Sequence, residues 1–162
     1  MKISQQGLAL TIKAEVGQGR PHLRTSMDEL GRTMIGYGHT LLYREFLTMP
    51  MSIQGSYDLM LKDFIKLEEL PGIKSLKIEQ HQFDAILCWA YHVSQGRAMA
   101  KGEEFEQSAL LEYANSGKMQ LCAAEFDKWV LVGNKLNRKH VSRRENEKYL
   151  FYYAKLPIGA LI

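Results

Sequence analysis

Between Gly17 and His39 the chain carries five glycines, at positions 17, 19, 31, 36 and 38, together with Pro21. A helix interior does not tolerate that density of glycine and proline. The brief mixed runs between them, such as LRTSMDELGRTMIGYGH, therefore read as hairpin strands. Beyond residue 50 the texture changes to a 3.6-residue period. From Met51 to Glu69, Ile53, Tyr57, Met60, Leu61 and Phe64 share one stripe, with Pro71-Gly72 as the stop. In QHQFDAILCWAYHV, Cys88 and Trp89 widen the apolar arc beyond one stripe, as in an enclosed central helix. After SQGRAMAKGEE, which reads as a mobile connection, Ser108 can cap ALLEYAN. LCAAEFDKWV then keeps Cys122, Phe126 and Trp129 on one side, and HVSRRENEKYLFYYAKL sets Arg143 and Glu147 at i,i+4. Ahead of the glycines, Ser4 can cap a helix over 4–15 carrying Leu8, Ile12 and Glu15. The fold class is α+β, mainly helical. A small N-terminal β-hairpin lobe over about 16–50 faces a larger helical lobe over 51–162 that packs with helix 4–15, leaving a cleft where they meet.

At 162 residues one domain, 1–162, buries about two-thirds of its unfolded surface and needs no disulfide network or structural metal. Cys88 and Cys122 match no redox or zinc spacing and read as reduced core thiols. A net charge of +3 and pI of 8.8 are too modest for a nucleic-acid binder, and the basic residues are dispersed. The same charge suits an anionic polymer. No window reaches the roughly 18 to 20 apolar residues of a spanning helix. Glu15 stands where a signal peptide would be apolar, so the expectation is a monomeric cytosolic chain without membrane insertion.

GYGHT at 36–40 is no phosphate loop, because its glycines do not open a helix. They suit tight packing of a strand on the helical lobe. His39 reads either as a satisfied core histidine or as a general base. His22, Asp28 and His39 bring three ligand types into one segment, but the spacing fits no zinc pattern, and no metal or cofactor is expected. Trp89 and Trp129, at core spacing, read as packing anchors more than sugar platforms.

Six fragments carry a resemblance: SQQGLALTIKAEVG, GRTMIGYGHT, EQHQFDAILCWAYHV, SALLEYANSG, AAEFDKWV and SRRENEKYLF. In this order and spacing the chain resembles the phage-type lysozymes, the muramidases or endolysins of glycoside hydrolase family 24. In that family a glutamate closing the first helix is followed by glycine, then by an aspartate nine positions on and a threonine six beyond it. Here Val16 follows Glu15, and the ninth position on is Arg24. Anchoring on GYGH places Asp28 at the family aspartate, with Glu29 its nearest rival, and implies a four-residue insertion within VGQGRPHLRTS. The same anchor puts Met34 at the family threonine and Thr33 one residue out of phase, on the other face of a strand.

The resemblance implies hydrolysis of the β-1,4 bond between N-acetylmuramic acid and N-acetylglucosamine in bacterial peptidoglycan, on the wall, after release or delivery from the producing or host cell. Inverting hydrolysis needs a carboxylic acid for the leaving oxygen and, roughly 6.5 to 9.5 Å away, a group that handles water. Glu15, at a helix end facing the lobe boundary, fits the acid, and Asp28 fits the second role. Met34 cannot hold water by hydrogen bonding, so Asp28 with Thr33 or His39 holds it or that function is lost. The alternative is then an impaired protein of the same fold that binds wall glycan or a protein partner. The resemblance also implies a late basic residue paired with the helix-end glutamate. Arg143 and Arg144 point about 100° apart, so one is expected at the cleft and the other in solvent, with Arg144 the choice for Glu15. His92 stands where the family shows asparagine, and is expected at the glycan or at the helix end.

Overall fold

The computed structural model describes residues 1–17, 19–96, 100 and 104–157. Residues 97–99 and 101–103, most of the expected SQGRAMAKGEE connection, lie outside the described residues. Helix α1 spans Gln5–Val16, and Ser4 caps it by accepting from the Gln6 and Gly7 amides. Ser4 also donates its own amide to Asp84 Oδ1 at 2.9 Å, which ties the start of α1 to the central helix. Gly17 closes α1 at φ 61°.

The glycine-rich segment forms a three-stranded antiparallel sheet, β1 (His22–Met27), β2 (Thr33–Gly36) and β3 (His39–Thr40), in chain order. Met27 pairs with Thr33 and Ser26 with Met34, and the register becomes irregular toward His22. At Gly36, φ is 64° and a Cβ would stand 3.4 Å from the Ser56 Cβ, so this turn needs glycine for its backbone and for the approach of the next helix.

That helix, α2 (Ile53–Glu68), is capped by Ser52. Met60 and Phe64 of the expected stripe are buried, whereas Ile53, in the first turn, is 48% exposed. Pro71 ends α2 and also starts a further one-turn helix, α3 (Pro71–Lys74), where its missing amide proton is not needed. Helix α4 (Gln80–Val93) is enclosed as its wide apolar arc implies, with every residue from Phe83 to Val93 buried. It packs against α1, α2 and the last helix. Helices α5 (Ala109–Asn115) and α6 (Met119–Glu125) follow, and a 3-10 turn over Phe126–Lys128 carries the chain on to Trp129. A hairpin of β4 (Leu131–Val132) and β5 (Lys135–Leu136) was not anticipated, although Gly133-Asn134 between Val132 and Lys135 is a hairpin-turn pair. Helix α7 (Arg138–Tyr153) is capped by Asn137.

Trp89 and Trp129 lie edge to face, 5.3 Å apart, in the core, and are packing anchors and not surfaces for sugar. Cys88 and Cys122 are free buried thiols. Among the described residues no helix is long and apolar enough to cross a membrane.

Candidate active site

The last turn of α1 delivers Glu15 into a cavity of about 630 Å³ walled by α1, α4 and the first turns of α7. Although it ends a helix, the Glu15 side chain is only 6% exposed, because α7 lies across it. Arg143 Nη1 donates to Glu15 Oε1 at 2.6 Å, its Nε donates to Glu147 Oε1 at 3.1 Å, and its Nη2 donates to the Cys88 carbonyl at 3.4 Å. One guanidinium thus joins α1, α4 and α7.

This geometry corrects the choice of Arg144. Arg144 is fully buried and its Nη2 donates to Glu147 Oε1 at 2.9 Å, while Arg143 takes Glu15. The expectation that one arginine meets solvent also fails, because Glu147, one turn further along α7, pairs with both inside the fold and Glu15 supplies the second negative charge. Burial alone would lower the Arg143 guanidinium, but the charges of Glu15 and Glu147 outweigh it and raise it. Arg144, buried with a cation beside it, is pulled down to about 10. Burial pushes Glu147 above the ordinary carboxyl range despite its two partners.

Asp28 directly follows β1 in the β1–β2 turn and lines a second cavity of about 240 Å³ together with Met34. Its Oδ1 accepts from the Leu30 and Arg32 amides at 2.8 and 2.9 Å, and its Oδ2 accepts from Arg32 Nε at 2.7 Å. Partial burial works to raise the carboxyl, but the Arg32 amide, its guanidinium and the Leu30 amide hold it below its ordinary value. Asp28 thus closes its own turn and lines a cavity at once. Arg32 Nη1 donates on to the Gln95 carbonyl at 2.7 Å, and the Thr40 amide donates to Gln95 Oε1 at 2.6 Å, so the hairpin is fastened to the end of α4. Glu29, the rival carboxylate, lines the same cavity and accepts from Asn137 Nδ2 at 3.1 Å.

Met34 lines this second cavity and Thr33, on the alternate face of β2, does not. His39 is removed from both. Its Nδ1 lies 2.6 Å from Asp63 Oδ2 and its Nε2 lies 3.0 Å from Glu45 Oε2, in a separate cavity with Thr40 and Gln95. Pairing of Ile35 with His39 across β2 and β3 places that ring over α2, where Asp63 is buried. The expectation that Thr33 or His39 holds water beside Asp28 is therefore corrected. The same engagement separates His39 from Asp28, and among the described residues no cluster suited to a metal ion forms.

His92 lines both the Glu15 cavity and the Asp28 cavity. So does His140, which sequence reasoning did not single out. Its signal was weak: a histidine one turn before Arg143 on the same helix. Glu45 and Asp63, the partners of His39, carried no local signal at all.

With this arrangement in view, residues 21–147 match the family described as Phage lysozyme. An endolysin of Bacillus phage PZA is 35% identical over 156 residues, which cover 93% of this chain and 55% of that protein. An endolysin of Bacillus phage B103 is 34% identical over 93% of this chain and 54% of its own length. The chain thus spans about half the length of the curated relatives it matches. Among solved structures, the muramidase domain of SpmX from Asticaccaulis excentricus superposes with a TM-score of 0.64 at 25% identity, over 93% of this chain and 97% of that one. An endolysin from the Escherichia coli phage FAHEc1 superposes with a TM-score of 0.74 at 22% identity over 97% of each chain, a likeness of fold.

Proposed function

This chain belongs to the phage lysozyme family, and from that premise we propose that it hydrolyses the β-1,4 bond between N-acetylmuramic acid and N-acetylglucosamine in bacterial peptidoglycan. The observation that carries the reading is Glu15: a carboxyl 6% exposed at a helix end, held 2.6 Å from Arg143 inside a cavity of about 630 Å³. Glu15 gives its proton to the glycosidic oxygen. Arg143 fixes the orientation of the carboxyl and is itself shared with Glu147. Asp28, kept ionised by Arg32 and two backbone amides, supplies fixed negative charge on the hairpin side, where positive charge develops at the anomeric carbon. The chain acts as a monomeric lysozyme-like domain, 1–162, with its cleft between the 16–50 lobe and the rest. It acts on the bacterial wall after release or delivery from the cell that makes it, and needs no cofactor.

The test is release of reducing ends from purified peptidoglycan. The parent chain releases them, and Glu15→Gln lowers the rate by about 10²- to 10⁴-fold, as loss of a general acid does, while the variant still pellets with the glycan. A parent that binds peptidoglycan without cutting it would replace hydrolysis by glycan binding.

A further inference from the structure

The two cavities share two side chains among the described residues, and both are imidazoles. His92, in the last turn of α4, is buried, and His140 comes from the first turn of α7. Their rings meet edge to face, with centroids 4.6 Å apart and planes at 77°. One edge of the pair therefore opens toward Glu15 and the other toward Asp28 and Met34.

Proton donation from one side of a glycosidic bond has to be matched by a group that takes a proton from the attacking water. The hairpin wall is poorly equipped for that. Met34 offers no useful hydrogen bond. Both oxygens of Asp28 already accept from Arg32, and the amides and guanidinium that hold the carboxylate ionised also make it a weak proton acceptor. Arg32 is itself a cation, and Glu29 Oε2 is engaged by Asn137. A neutral imidazole accepts a proton near neutral pH, and two imidazoles face this cavity from α4 and α7, opposite the hairpin.

We propose that the His92–His140 pair is the proton acceptor for the attacking water, placed between the Glu15 and Asp28 cavities. The proposal rests on the hydrolytic reading above. In the step, an unprotonated ring nitrogen takes a proton from water as the water oxygen bonds to the anomeric carbon. The bond from that carbon to the leaving oxygen breaks, and the Glu15 proton passes to that oxygen. The imidazolium then returns its proton through solvent to the Glu15 carboxylate, so one water is consumed and both groups are restored. The second ring, edge-on to the first, fixes its orientation.

Among the described residues, the charged and titratable groups that line the two cavities with the pair are Lys13 and Glu15 from α1, Cys88 from α4, Lys139, Arg143 and Glu147 from α7, and Asp28, Glu29 and Arg32 from the hairpin. The experiment therefore removes imidazoles and carboxylates separately. Reducing-end release is followed against pH for the parent, His92→Asn, His140→Asn, the double variant, Asp28→Asn and Glu29→Gln, with melting temperatures to verify folding. The parent rate falls on the acid side as the imidazole protonates. Replacing the accepting histidine lowers kcat about 10²- to 10⁴-fold with KM little changed and removes that limb, whereas Asp28→Asn and Glu29→Gln leave the limb in place. Azide, which attacks without losing a proton, restores turnover to the folded histidine variant as the glycosyl azide. An acid limb that persists in both histidine variants, a loss confined to KM, or no azide product overturns the proposal and leaves hydrolysis standing. A parent that releases no reducing ends overturns hydrolysis and the proposal together. If one single variant does not fold, the other and its azide product decide.

Discussion

Adjacent residues on one helix take different work here because they point in different directions. Arg143 reaches across to Glu15, whereas Arg144, next in sequence, is confined to Glu147. Substituting either with methionine strips a buried carboxylate of a partner and destabilises the fold by about 3 kcal/mol, measurable by chemical denaturation. The two differ in activity. Arg143→Met moves the pH limb governed by Glu15 upward, because a carboxyl that loses a neighbouring cation holds its proton longer, while Arg144→Met, which removes a cation that feels Glu15 but is bonded to Glu147, moves it less. His39 makes a second prediction at this scale. Burial works against its protonation, but Asp63 and Glu45 outweigh burial and raise its pKa. A pKa raised on folding stabilises the folded state fully below the unfolded value of about 6.5 and ceases to do so as pH climbs through the folded value. Stability should therefore fall as pH rises from neutrality through that range. In Asp63→Asn, which loses about 3 kcal/mol at mildly acid pH, this dependence should be much flatter. Denaturant titrations at a series of pH values read both.

Elements were legible where their signal is local. Ser4 and Ser108 cap the helices expected to follow them, Ser52 caps the helix expected over 51–69, and the wide arc of α4 corresponds to a helix enclosed on all sides. The β4–β5 hairpin escaped because two-residue strands have too little alternation to register, and Pro71 was read only as a stop although it also begins α3. The seating of the hairpin on α2 is open to a direct test. Gly36→Ala places a side chain at φ 64° and 3.4 Å from Ser56, whereas Gly31→Ala meets only the φ of 76° with open space around it. The backbone penalty in each is about 1 to 2 kcal/mol, so Gly36→Ala should be the more destabilising of the two in thermal or denaturant unfolding. Equal losses would mean that the contact with α2 is slack.

Across the whole molecule, one buried apolar cluster runs from Leu8 in α1 through α4 to Phe151 in α7 and takes in both cysteines. Burial pushes each thiol up to about 12. A thiol reagent near pH 8 should therefore label neither Cys88 nor Cys122 in the native protein. Labelling followed by mass spectrometry across a denaturant series should expose both together, at the midpoint where helical signal is lost. Earlier labelling of Cys122 alone would divide the core into separately opening parts.

The sequence by itself determined most of the helical spans after residue 50, the glycine-dependent hairpin and the core position of the cysteines and tryptophans. These follow from caps, periodicity and turn chemistry, each contained within a few neighbouring residues, whereas the choice of Glu15 and Asp28 came from the family resemblance. Only the tertiary structure decided that Arg143 holds Glu15, that His39 is engaged by Asp63 and Glu45, and that His140 joins His92 between the two cavities. Those outcomes depend on how α1, α4 and α7 are rotated against one another. Neighbouring side chains on a helix diverge by about 100°, so a rotation of that size exchanges one arginine for the next, and periodicity within a single helix carries no information about its angle to the others.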